Sequence, residues 1–130
     1  MTVSDDIMKS APVLRGRSVL VLEDNYLLAE DERWALEDAG ARVVGPFSTA
    51  EAAIEASRRD AIDCALIDIN LGSGPNFDAA EALRKLGVPM VFVTGYDASV
   101  IPEALLDVPR LEKPFAEADV VNAVASICAG

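Results

Sequence analysis

At 130 residues the chain fits one compact domain with a buried core, and its 52% hydrophobic content excludes a disordered polar chain. A net charge of −11, from 11 basic against 22 acidic residues, opposes non-specific binding to nucleic acid or anionic membrane. No histidine is present, which excludes histidine triads, histidine metal sites and imidazole acid–base chemistry, and no apolar run is long enough to span a bilayer.

Residues 1–17, MTVSDDIMKSAPVLRGR, lack the apolar run of a signal peptide and read as a loose tail before a domain at 18–128, in a cytoplasmic chain. SVLVLED (18–24) reads as a first strand, buried on both faces. A helix is predicted over Asn25–Ala39, closed by Gly40. Its apolar stripe is Leu28, Ala35, Leu36 and Ala39, and Asp31 or Glu32 falls on or beside it. A rim carboxylate reaching water is the preferred reading there, ahead of a partner-facing charge. Trp34 lies off the stripe, as an exposed interface anchor or packed on the tail.

ARVVG (41–45) follows as a second strand, then a helix over Thr49–Arg59 opened by the capping-box pattern Ser48-x-x-Glu51. CALIDI (64–69) is the third strand. Cys64, with Cys128, forms no metal or redox motif, and both read as thiols in or near the core. Gly72–Phe77 mimics part of a dinucleotide fingerprint, but Phe77 replaces its third glycine and Pro75 removes an amide, so nucleotide binding is not expected. A helix over Asp78–Leu86 stops at Gly87, before the strand MVFVTG (90–95). Between Tyr96 and Pro109 only Ser99–Leu106 has room for a helix, and one or two irregular turns are expected. RLEKP (110–114) and a helix over Glu117–Ile127 complete the chain.

Five alternations of strand and helix predict an α/β fold, a doubly wound five-stranded parallel sheet with helices on both faces. Ligands of such sheets bind beyond the carboxyl ends of the strands. Those ends carry Glu23 and Asp24, then Asp68, then Thr94 and Gly95, then Lys113 and Pro114. Three crowded carboxylates need retained protons or a cation, and an all-oxygen donor set selects a hard ion, Mg2+ foremost. Lys113 and Thr94 would hold an anion beside it. A divalent cation with a lysine suits a phosphoryl group, and Asp68 is then the carboxylate nucleophile that becomes an aspartyl phosphate.

Glu23-Asp24, Asp68, Thr94 and Lys113-Pro114-Phe115 together resemble the receiver domain of bacterial two-component response regulators, over about residues 17–128. The resemblance implies the flavodoxin-like receiver topology, with a shortened or irregular fourth helix because the interval from Thr94 to Lys113 is a few residues short. It also implies phosphoryl transfer to Asp68 from a histidine kinase or histidine phosphotransfer protein. Mg2+ would be held by Asp24, Asp68 and the main-chain carbonyl of Asn70, with Glu23 acting through water. Thr94, Lys113 and the amides of Asn70 and Gly95 would hold the phosphoryl oxygens. The Lys113–Pro114 bond resembles the family's cis peptide, and Asn70 and Tyr96 would tune loss of the phosphate.

Two departures matter. The aromatic switch usually found three residues before the lysine is Arg110, so Tyr96 is the possible switch residue instead. The stretch NLGSGPNFDAAEAL replaces the usual Met-Pro region, and its glycines make that loop pliable. With FVTGYD, it resembles a subgroup of stand-alone alphaproteobacterial receivers. The expected protein is a single-domain response regulator signalling by protein contact, through the face of the fourth crossover, the fifth strand and the last helix, or one passing phosphate onward. It catalyses its own phosphorylation and dephosphorylation and is no enzyme for a separate substrate. Asp68-Ile69-Asn70 resembles the Asp-x-Asp of haloacid-dehalogenase phosphatases, but Asn70 cannot protonate a leaving group. The alternative is an unphosphorylated receiver-like adaptor.

Overall fold

The computed structural model describes residues 13–72, 74–95 and 98–128. Its strands are β1 (Ser18–Leu22), β2 (Arg42–Phe47), β3 (Cys64–Asp68), β4 (Met90–Thr94) and β5 (Arg110–Glu112). Its helices are α1 (Tyr26–Asp38), α2 (Ala50–Arg59), α3 (Asp78–Lys85) and α4 (Glu117–Cys128). All strands are parallel, in the order β2-β1-β3-β4-β5, so β3 lies at the centre between β1 and β4. This is the doubly wound sheet expected from the apolar runs.

Alternation along each strand splits the core into two layers. Leu20, Leu22, Ala65, Ile67 and Phe92 pack with the small residues Ala53, Ala56, Ala79 and Ala80 of α2 and α3. Val19, Val21, Leu66, Val91 and Val93 pack with Leu36 of α1 and Val120 and Val124 of α4. Asp68 continues the parity of Cys64 and Leu66, and Glu23 that of Val19 and Val21. Both acids therefore belong to the layer covered by α1 and α4.

Where a fourth crossover helix would stand, two 3₁₀ turns occur, Ala98–Val100 and Glu103–Leu105. Pro102 immediately precedes the second turn, and Ile101, Leu105 and Val108 anchor the segment in the α2/α3 layer. The expected irregular turns are present, and the last helix is α4.

Local readings change in four places. The α2 cap is Thr49 rather than Ser48, its hydroxyl accepting from the Ala52 amide at 3.2 Å. Residues 13–17, assigned to the tail, are held to the domain by Leu14. Leu14 is buried and its amide donates to the Ala39 carbonyl at 2.9 Å, while residues 1–12 lie outside the described set. Cys64 and Cys128, read as thiols, form a disulfide across a Cα separation of 5.9 Å, because strand parity brings Cys64 beneath the end of α4. Glu32, read as a rim or partner-facing residue, is buried: the inner face of α1 is Ala29, Glu32, Ala35 and Leu36, about one residue round from the expected stripe. Trp34 is 63% exposed, with the Arg33 guanidinium 5.5 Å from its ring, and lines an open groove of about 710 Å3 with Val13, Ala35 and Val121.

Candidate phosphoryl-acceptor site

Glu23 and Asp24 follow β1 directly, Asp68 ends β3, Thr94 ends β4, and Lys113 follows β5. Because β1, β3 and β4 are adjacent and in register, these ends meet at one edge of the sheet. Carboxylate oxygens of Glu23, Asp24 and Asp68 lie within 4.8 Å of one another. Glu23 and Asp68 are buried, whereas Asp24 is exposed at the mouth.

Asp68 is held from two sides. Its Oδ1 accepts from the Asn70 amide at 2.8 Å, and its Oδ2 accepts from Lys113 Nζ at 3.1 Å. The Lys113 main-chain amide in turn donates to the Thr94 carbonyl at 3.0 Å, fixing the lysine's strand against β4. The Lys113–Pro114 bond is cis. Thr94 is fully buried beside Glu112 of β5, and Gly95 is exposed. The Asn70 loop is closed by the Asn70–Pro75 bridge and an Asn76 amide to Ile69 carbonyl bond of 2.7 Å. It passes so close to Asp24 that a Cβ on Gly72 would sit 3.8 Å from Oδ2. Tyr96 lies outside the described residues.

The electrostatics are dominated by acid crowding. Burial, then the adjacent Asp68 carboxyl, then the charges of Glu32 and Asp68, raise the Glu23 carboxyl far above the usual range, with Lys113 opposing. Burial is also the chief reason that Glu32 is raised, to about 7; contact with Glu23 works against it. For Lys113, burial alone would lower the ammonium, but the bond to Asp68 and the charges of Glu23, Asp68 and Glu32 hold it above the ordinary lysine value. Apart from these acid–acid contacts, no described group donates to Glu23 Oε1 or to either oxygen of Glu32. Orphaned acceptors of this kind, beside an all-oxygen donor set, fit a hard divalent cation.

Sequence reasoning named every acid of this cluster except Glu32. The available signal was an acid at the helical spacing of Ala29, Ala35 and Leu36, which its neighbours Glu30 and Asp31 obscured.

The family model of the response regulator receiver domain matches residues 19–125, and the chain belongs to that family. It is similar to the response regulator UvrY of Escherichia coli, 30% identical over 122 residues, which cover 87% of this chain and 55% of UvrY. The chain thus spans about half the length of that curated relative. Among solved structures it resembles a response regulator receiver protein from Sinorhizobium medicae, 28% identical, with a TM-score of 0.75 over 88% of this chain and 95% of that one. The receiver domain of the sensor histidine kinase PA1611 from Pseudomonas aeruginosa, 20% identical, shares the fold, with a TM-score of 0.75 over 88% and 99% of the two chains. That structure holds a magnesium ion in its active site cleft. No helix of the described residues is long and apolar enough to cross a membrane.

Proposed function

We propose that the chain is a phosphorylatable switch of a two-component pathway and that Asp68 is its phosphoacceptor. The observation carrying this reading is the position of Asp68. It is buried at the centre of the sheet edge, oriented through one oxygen by the Asn70 amide and through the other by Lys113, with the Glu23 and Asp24 carboxylates alongside.

An Asp68 oxygen attacks phosphorus of a phosphohistidine on a histidine kinase or phosphotransfer protein. The P–O bond forms as the P–N bond breaks, and the electron pair leaves on the imidazole nitrogen. Lys113, released from the free carboxylate, pairs with a phosphoryl oxygen, and the Thr94 hydroxyl and the Asn70 and Gly95 amides take the others. Glu23, Asp24, Asp68 and the Asn70 carbonyl are the groups that would hold Mg2+. Bound there, Mg2+ neutralises the acids and the incoming phosphoryl charge. The phosphorylated state is read by a protein partner.

Incubation with Mg2+ and acetyl phosphate, followed by intact-mass and peptide analysis, tests this. One phosphoryl group should appear on Asp68 and be absent from Asp68→Asn or in chelator. An unlabelled wild type, as an adaptor would give, or a label on another residue, overturns the reading.

A further inference from the structure

Glu32 has no place in the scheme above, yet it is one of the largest fully buried side chains of the molecule, at 1% exposure. It projects from the inner face of α1, where its helical neighbours Ala29, Ala35 and Leu36 are also buried and Leu36 packs in the core layer over the sheet. The charged groups around it are Glu23, Asp68 and Lys113 from the strand ends and Asp31 from its own helix. Apart from the Glu23 carboxyl, no described residue offers a hydrogen bond to either of its oxygens. A buried carboxyl whose only partner is another acid lowers stability, and an aliphatic side chain of similar size would fill the position better. Its presence is not explained by the fold. Groups that back a metal-binding carboxylate usually donate a hydrogen bond to it, and Glu32 instead meets Glu23 acid to acid.

We propose that Glu32 is a positioning residue that acts through Glu23, its buried carboxyl strengthening divalent-cation binding at the Glu23–Asp24–Asp68 cluster at the expense of cation-free stability. The inference rests on the cation-site reading given above. It assigns Glu32 no bond to the cation: the residue orients Glu23 from behind through their carboxyl–carboxyl contact and adds to the acid crowding that a cation relieves. The same acid crowding that weakens the cation-free fold is relieved when a cation enters.

Glu32→Gln and Glu32→Leu test it, with Mg2+ affinity measured by calorimetric titration and cation-free stability by urea unfolding in chelator. Both variants should bind Mg2+ about tenfold more weakly, as for other residues that support a metal ligand, while unfolding at the same or higher urea concentration than wild type. Glu32→Gln keeping its affinity within twofold overturns the proposal, because the carboxyl is then unused. So does a Glu32→Gln protein that is less stable than wild type in chelator, because the carboxyl is then structural. Asp24→Asn separates the two readings. If wild type and Asp24→Asn bind Mg2+ equally weakly, the cation site itself is refuted; if only Asp24→Asn loses binding while both Glu32 variants keep it, the role of Glu32 alone is refuted.

Discussion

The Lys113–Asp68 pair predicts an asymmetry between its two members. Asp68 is 1% exposed and Lys113 27%, at a separation of 3.1 Å. The gross attraction at that distance is about 5 kcal/mol for an effective dielectric near 20. Removing Lys113 strands a buried carboxylate among Glu23 and Glu32, and breaking such a pair costs about 3–5 kcal/mol. The partial exposure of the lysine puts the expected loss for Lys113→Met near the lower end, about 3 kcal/mol. Removing the acid differs, because Lys113 can turn toward water and Glu23 loses a repulsive neighbour. Asp68→Asn should therefore lie within about 1 kcal/mol of wild type, or above it. Urea unfolding in chelator, followed by far-ultraviolet circular dichroism, reads both. With a slope of about 1.5 kcal/mol per molar, Lys113→Met should unfold about 2 M earlier. The double variant should recover most of that loss, since the stranded charge is gone. A double variant less stable than Lys113→Met, or a Lys113→Met midpoint equal to wild type, refutes the reasoning.

The raised carboxyls of Glu23 and Glu32 fix a pH dependence: the folded state keeps protons that the unfolded state releases above the ordinary value of 4.5. Their stabilising contribution is complete below that value and is lost as pH rises through the folded values, by about 1.4 kcal/mol per pH unit for each proton retained. In chelator, stability should thus fall between pH 4.5 and about 7, and a flat or rising profile contradicts the assignment. Gly45 sits at φ +105°, where a Cβ would lie 2.8 Å from the Phe47 amide nitrogen and 3.0 Å from the Val21 carbonyl. Gly45→Ala should lose about 2 kcal/mol or more in urea unfolding, and wild-type stability would show that the β1–β2 edge adapts. The Cys64–Cys128 link closes a loop of 64 residues, for which chain entropy gives at most about 4 kcal/mol. Reductant should lower the unfolding midpoint of wild type and leave Cys128→Ser unmoved; equal midpoints for wild type with and without reductant exclude a stabilising cross-link.

The sheet was legible because its inner strands are buried on both faces, so CALID and MVFVT read as unbroken apolar runs. The candidate site was legible for a related reason. Its residues stand at strand ends, where a parallel sheet turns one-dimensional spacing into adjacency, and an acid ending an apolar strand stands out against its surroundings. The irregular fourth crossover, two 3₁₀ turns among the described residues, was signalled by Pro102, Pro109 and a short interval, although Ser99–Leu106 left room for a short helix. Leu14 was hidden because the pair Val13-Leu14, between Pro12 and Arg15, is too short to carry a periodic signal, although Leu14 packs in the layer with Val19, Val21 and Leu36.

Glu32 and the cysteine pair were hidden for a different physical reason: each depends on a rotation or a distance that local sequence does not encode. α1 has a weak apolar stripe, with Leu27 and Trp34 exposed and only Ala29, Ala35 and Leu36 buried beside Glu32. When small alanines define the inner face, the stripe's direction is uncertain by about one residue, or 100°. That error separates a rim acid from a buried one. Hydrophobic patterning also assumes that burial follows apolarity, and a functional acid breaks this rule where the fold is least stable without its ligand. If Glu32 supports the cation cluster, the weak stripe on α1 is the trace of that compromise. An apolar residue at position 32 would have made the helix easy to read and the acid cluster a weaker binder.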